Sequence, residues 1–136
     1  MQRLVVLGGG ESGCGSAVLA RVKGFDVFLS DRGSIAPKYR ELLEKWDIPY
    51  EEGRHTAGKI LSADKVVKSP GIPDKAPMVK AVRERGIPVI SEIEFAGAYT
   101  SARTICITGS NGKTTTTTLT YEILRQAGVN VGLAGN

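Results

Sequence analysis

The stretch Leu4-Val5-Val6-Leu7-Gly8-Gly9-Gly10-Glu11-Ser12-Gly13 decides the fold. Four apolar residues run without a polar break into three glycines, and a helix-compatible segment follows. An unbroken apolar run is what a parallel strand covered on both faces needs. The glycines satisfy G-x-G-x-x-G between a strand and a helix. They permit a tight turn and let a ligand approach the backbone, and the helix start behind them offers free N–H groups and a positive dipole end to an anion. Asp31 follows at about the ~20-residue offset of a carboxylate that reads a ribose or base. On these residues alone the loop fits a nicotinamide nucleotide. Arg32 complicates that reading, because an acid suited to NAD and a base suited to NADP stand side by side. The plainer alternative is a βα turn whose glycines bind nothing.

Working outward, the pattern alternates. A helix is predicted over 12–23 and stops at Gly24. A strand follows over 26–30, then a helix over 37–46 with Tyr39, Leu42, Leu43 and Trp46 on one face. A weak strand at 48–51 precedes a short helix after Thr56, and a strand at 63–68 ends in Ser69-Pro70-Gly71-Ile72-Pro73. Pro77 opens a helix that Gly86 closes. A strand at 88–90 and a short helix at 92–99 complete this part. Further strands are expected at 104–108 and 129–133, on either side of a helix over 113–127. Alternating strands and helices make an α/β fold: a Rossmann-like parallel sheet of five strands with helices on both faces, then the start of a second phosphate-binding unit. The domain expectation is 1–98 for the first unit and 99–136 for the second. The second ends just past its last strand, so the chain is expected to be the N-terminal piece of a longer protein. Its apolar faces are expected to pack back on the first unit or pair with another copy.

Composition agrees with a soluble globular protein. The 136 residues are 41% hydrophobic and 24% charged, with a net charge of +4. The positive charges form no block, so a nucleic-acid tail is excluded as the leading reading. No apolar run reaches the ~18 residues of a membrane span, and the N-terminus reaches glycine too early for a signal peptide. Cys14 and Cys106 form no zinc or disulfide pattern, which fits a reducing, cytoplasmic setting. Seventeen glycines among 136 residues exceed the usual ~7% and cluster where apolar runs end.

The second motif is Thr108-Gly109-Ser110-Asn111-Gly112-Lys113-Thr114-Thr115. It ends like a Walker A loop: backbone N–H groups cradle phosphates, Lys113 reaches the β/γ-phosphates and the Thr114 hydroxyl holds Mg²⁺. The strict pattern needs glycine at 107, where this chain has Ile107. Five threonines in a row, Thr114–Thr118, are poor helix formers. A metal and phosphates account for the first two, and Thr116–Thr118 read as helix surface or packing. Ser69–Pro73 is the third motif. It lies at the carboxyl end of a strand, where open α/β sheets bind ligands, and is equally a plain turn.

The remaining candidates are weaker. His55, the single histidine, reads as a surface or capping residue. Cys14 reads as packing, Cys106 and Trp46 as core. Glu92 and Glu94 diverge on a helix, which argues against a paired-carboxylate site. Lys80, Arg83 and Arg85 read as a solvated face.

Two nucleotide-type loops about 100 residues apart, the second lacking its leading glycine, resemble the Mur ligases, the ATP-dependent amide ligases of peptidoglycan precursor synthesis. Gly8–Gly13, Ser30-Asp31-Arg32, Gly128-Val129-Asn130-Val131-Gly132 and Gly135-Asn136 also fit that family. The Ser69–Pro73 turn favours the branch that joins D-glutamate to UDP-N-acetylmuramoyl-L-alanine. The resemblance covers essentially the whole chain. It implies that the first unit holds UDP rather than NAD. Gly10, Glu11, Ser12 and Gly13 would lie against the diphosphate and uridine, Asp31 and Arg32 against the uracil end. Ser69 and Gly71 would line the same cleft, and Asn136 would meet the sugar or diphosphate. Gly109, Ser110, Asn111, Gly112, Lys113, Thr114 and Thr115 would bind ATP, with Thr114 on magnesium and Lys113 on the transferring phosphate. It implies a cytoplasmic enzyme, monomeric at full length and inactive as these 136 residues alone. A sibling Mur ligase and a folylpolyglutamate synthase remain open within that superfamily. A nicotinamide-dependent oxidoreductase and a non-catalytic nucleotide-binding module remain open outside it.

Overall fold

The computed structural model describes residues 1–134, and the chain forms two compact units, Met1–Thr100 and Ser101–Asn136. Unit one is a five-stranded parallel sheet. In chain order it runs β1 (Arg3–Leu7), α1 (Glu11–Val22), β2 (Asp26–Ser30), α2 (Pro37–Lys45), β3 (Tyr50–Glu51), α3 (Ala57–Ile60), β4 (Lys65–Lys68), α4 (Pro77–Glu84), β5 (Val89–Ser91) and α5 (Glu92–Gly97). The strand order is β3-β2-β1-β4-β5. Leu4 pairs with Val27 on one side and with Lys65 on the other, so the first apolar run is the centre of the sheet.

The pleat sorts the side chains. Leu4, Val6, Val27, Leu29 and Val67 join Cys14, Ala17 and Ala20 of α1, Leu43 of α2 and Phe95 of α5 in one buried layer. Val5, Leu7, Phe28 and Val66 join Ile60 of α3 and Val79 and Val82 of α4 in the other. Both faces are therefore covered, which is why these strands read as continuous hydrophobic runs. Prolines open α2 and α4, where a missing N–H costs no hydrogen bond.

Topology places the site. The chain leaves β1 toward β2 and β3, then returns past β1 to β4 and β5. That reversal opens a crevice at the carboxyl ends of β1 and β4, where α/β sheets take ligands. The glycine loop follows β1, Asp31 follows β2, and the Ser69–Pro73 turn follows β4.

Three expectations are corrected. Trp46 is not core: it is 38% exposed at the end of α2, while Leu43 alone of that helix is fully buried. Tyr39 and Leu42 on the expected face are partly buried against the core beside Leu43. The strands expected at 104–108 and 129–133 are absent among the described residues. A strand exists by its ladder, and among its described residues unit two holds a single element, α6 (Lys113–Gln126). Cys106 is accordingly exposed rather than buried, with Ile105 at 60% exposure beside it.

Candidate functional site

The glycine loop is built by close approach. A Cβ on Gly13 would lie 2.0 Å from the Gly8 carbonyl oxygen, so α1 can sit this near to the end of β1 only with glycine there. Gly10 is the N-cap of α1 and supplies no side-chain cap to the first-turn N–H groups. Gly10, Glu11 and Ser12 are exposed, whereas Gly13 is buried against the strand.

Asp31 stabilises this loop. Its Oδ2 accepts the Gly9 N–H at 2.5 Å and its Oδ1 accepts the Gly33 N–H at 2.6 Å. The carboxylate thus ties the turn after β1 to the turn after β2. Ser12 is tied from the other side: its hydroxyl donates to Glu92 Oε1 at 2.8 Å. Glu92 is only 6% exposed. No spacing in the sequence announces this pair, because the residues are eighty positions apart and meet only when α5 packs beside α1.

A cleft of about 460 Å³ opens beside the loop. Leu7, Gly8, Asp31, Arg32, Arg54, His55, Gly71 and Ile72 are among its lining residues. Asp31, Arg32 and Gly71 were singled out from sequence and come together here. Ser69 does not line the cleft. Its hydroxyl lies behind the loop, where a Cβ on Gly8 or Gly13 would meet it, and it is buried without a hydrogen-bond partner among the described residues. Asn136 lies outside the described residues.

His55 is the residue that sequence reasoning undervalued. It is half-buried, and its Nδ1 lies 2.7 Å from Ser30 Oγ. Ser30 Oγ also donates to Glu51 Oε1 at 2.7 Å. Glu51 further accepts the Thr56 N–H at 2.7 Å and the Thr56 hydroxyl at 2.6 Å. Burial alone would raise the Glu51 pKa; the three hydrogen bonds and the charge of Lys59 reverse this and hold it below the usual glutamate value. Burial lowers the His55 pKa, against the opposing pull of Glu51 and Asp31. Cys14 is inert packing, as expected: burial, aided by Asp31, lifts its thiol to about 11.

Unit two carries the second loop. Gly112 is the N-cap of α6 at φ 74°, a left-handed conformation that favours glycine. The Lys113 ammonium donates to Gly109 O at 2.5 Å and to Ser110 O at 3.4 Å, so it lies over its own loop. Gly109 to Thr115 are all exposed. Thr117 and Thr120 donate back to the carbonyls of Lys113 and Thr116, which lets hydroxyl side chains sit inside a helix. Lys113, Thr114, Thr117 and Ile107 line a shallow cavity of about 280 Å³. Thr114 supplies one hydroxyl oxygen beside Lys113. The described residues contain no group of three or more His, Cys, Asp or Glu able to hold a metal.

The site thus consists of a glycine turn at the switch point of a parallel sheet and a separate Gly-Lys-Thr loop in unit two. Residues 2–91 match the Mur ligase MurD-like N-terminal domain and residues 107–136 the Mur ligase middle domain. The chain belongs to the Mur ligase family. It is 66% identical over 136 residues to UDP-N-acetylmuramoylalanine--D-glutamate ligase of Bacteroides fragilis, covering 100% of this chain and 31% of that protein. The ligase of the same name from Porphyromonas gingivalis is 60% identical over 133 residues, 98% of this chain and 30% of that protein. The chain thus spans about a third of the length of these relatives. Among solved structures, a murein peptide ligase from Psychrobacter arcticus superposes with a TM-score of 0.68 at 28% identity, over 94% of this chain and 27% of that one. UDP-N-acetylmuramate-alanine ligase MurC from Thermotoga maritima gives 0.63 at 25%, over 93% and 30%.

Proposed function

We propose that this chain is the substrate-nucleotide and phosphate-loop portion of an ATP-dependent ligase that adds D-glutamate to UDP-N-acetylmuramoyl-L-alanine for peptidoglycan precursors. The observation that carries the reading is the 66% identity to a D-glutamate ligase along the whole chain, with both loops in it. The cleft geometry supports it. Residues 1–98 would hold the UDP substrate and 99–136 would begin the ATP domain. A nicotinamide oxidoreductase leaves the Gly112-Lys113-Thr114 loop and the family match unexplained.

The residues present suit these ligands. The open first turn of α1 accepts a diphosphate, because its N–H groups and dipole favour negative charge. Arg32 and Arg54 at the cleft add positive charge, and Asp31 holds the loop in register. In unit two the loop amides and Lys113 suit the phosphates of ATP, and Thr114 suits a hard cation such as Mg²⁺. When bound, that ion supplies charge neutralisation on the phosphate oxygens. The substrate carboxylate attacks the γ-phosphorus and the bond to ADP breaks, giving an acyl phosphate. Lys113 offsets the charge that gathers on the transferring group. The amine of D-glutamate then attacks the acyl carbon, loses a proton and displaces inorganic phosphate. The D-glutamate site and the further metal ligands belong, on this reading, to the other two-thirds of a relative's length. The reading places the enzyme in the cytoplasm.

Calorimetric titration of the chain with UDP-N-acetylmuramoyl-L-alanine tests this, with NAD(H) and NADP(H) as controls. Saturable binding of the UDP compound alone is expected. Binding of a nicotinamide nucleotide in its place would overturn the reading.

A further inference from the structure

We propose that Glu92 makes the glycine loop discriminate between two kinds of diphosphate: the loop favours one whose terminal phosphate is esterified to a sugar over one whose terminal phosphate is free. The inference rests on the UDP-substrate reading above and deepens it. Glu92 is a buried carboxylate that the mechanism leaves unused. It is the first residue of α5, directly after the edge strand β5, and is 6% exposed. Its Oε1 accepts the Ser12 hydroxyl at 2.8 Å, from the first turn of α1. The carboxylate is held firmly in that place. Phe95, three residues further along α5, is buried in the layer that α1 shares with the sheet. Its ring meets Phe25 at 6.0 Å and Tyr99 at 5.2 Å, edge to face in both cases.

This pair acts on an anion at the start of α1 in two ways. Serine has one hydroxyl proton, and Ser12 gives it to Glu92. Ser12 then offers the anion its N–H, while its Oγ turns only lone pairs outward. The second effect is charge. A carboxylate stands one residue behind the N–H groups that attract the anion. Glu11 in the same turn is exposed and screened by water and salt; Glu92 is buried and screened less. The helix start attracts negative charge, and Glu92 limits how much it holds. Free UDP ends in a phosphate monoester, which is close to doubly charged at pH 7 because its second pKa is about 6. In a UDP-sugar the same phosphate is a diester with one charge. One extra charge about 7 Å from a carboxylate weakens binding about threefold in a water-like dielectric, and more in a lower one. The loop therefore holds free UDP weakly.

The test is calorimetry with UDP and with UDP-N-acetylmuramoyl-L-alanine on the wild-type chain and on Glu92→Gln. Glutamine keeps the size and a hydrogen-bond partner for Ser12, and removes the charge. UDP should bind Glu92→Gln about three- to tenfold tighter, the sugar-linked diphosphate should gain less, and the ratio of the two affinities should move toward UDP by about threefold. High salt should shrink that change. A merely structural role predicts the opposite sign, weaker binding of both ligands with their ratio kept. A second readout needs no variant. Between pH 7.5 and pH 5.5 the free terminal phosphate takes up a proton and the diester does not. The wild-type preference for the sugar-linked ligand should therefore narrow by about threefold. His55 titrates in this range, but both ligands present it with the same uridine. Equal or weaker UDP binding to a folded Glu92→Gln, an unchanged ratio in it, or a wild-type preference that does not narrow at pH 5.5 overturns the inference and leaves the UDP reading standing. A wild type that binds neither ligand overturns both.

Discussion

Replacing Gly13 by alanine should unfold or displace the loop, although the change adds one methyl group. An alanine Cβ there would stand 2.0 Å from the Gly8 carbonyl oxygen, and real Cβ atoms essentially never come within 3.0 Å of a heavy atom. Helix α1 or the Gly8 carbonyl must therefore retreat by about 1 Å. Neither is free to do so. Gly8 N–H is bonded to Ser30 O at 3.0 Å, and Cys14, Ala17 and Ala20 hold α1 against the sheet. Overpacking a core costs about 1–3 kcal/mol, and a backbone clash stands at the upper end or beyond. Taking about 3 kcal/mol and ~4–8 °C per kcal/mol for a domain near 100 residues, Tm should fall by roughly 12–24 °C. Gly15 is the internal control. It lies in the same helix, is exposed, and has nothing within 4 Å of a built Cβ. Gly15→Ala should raise stability by ~0.5–1 kcal/mol through helix propensity. The single tryptophan, Trp46, sits in unit one and reports its melting by fluorescence. A Gly13→Ala protein that melts within about 2 °C of wild type, or a Gly15→Ala protein that melts lower than Gly13→Ala, would refute the packing argument.

Asp31→Ala removes acceptors from Gly9 and Gly33; a loss of about 1–3 kcal/mol and weaker UDP binding are expected, by urea melt and calorimetry. Glu51 titrates below its unfolded value, so it binds fewer protons when folded. Its contribution is full above the unfolded pKa near 4.5 and is lost as pH falls through the folded pKa; Glu51→Gln should flatten acid melting curves in that window. His55 also titrates below its model-peptide value of 6.5, so stability should decline as pH drops below that value, and His55→Asn should remove this decline. Cys106 should react with iodoacetamide at pH 8 while Cys14, buried with its thiol near 11, stays unmodified until the protein unfolds; mass spectrometry separates the two. Lys113→Ala should abolish ATP binding measured by calorimetry and leave the Trp46 melting curve unchanged, since the two residues lie in different units.

Local chemistry made much of this protein legible from residue order. Leu4–Leu7 had to be a strand buried on both sides, since four consecutive apolar side chains point alternately to both faces. The glycines after it, the Gly112-Lys113-Thr114 loop and the proline-opened helices follow from backbone geometry and capping, which act over a few residues. Asp31 and Gly71 were placed at the cleft by their positions at strand ends. What pattern could not supply was anything made by long-range meeting. The Ser12–Glu92 bond joins residues eighty apart, and the Ser30–Glu51–His55 chain depends on β2 and β3 lying side by side. His55 has no periodicity to mark it, because its environment comes from another strand. The same dependence explains the errors. Residues 104–108 have the composition of a strand, but composition gives only a preference, and a strand forms when a neighbour completes its hydrogen bonds. Sequence alone therefore determined the elements of the first unit, the switch-point loop and the second glycine-rich loop. Tertiary structure decided which carboxylates brace that loop and which side chains hold His55 beside the cleft, because burial and hydrogen-bond partners arise only when distant segments meet.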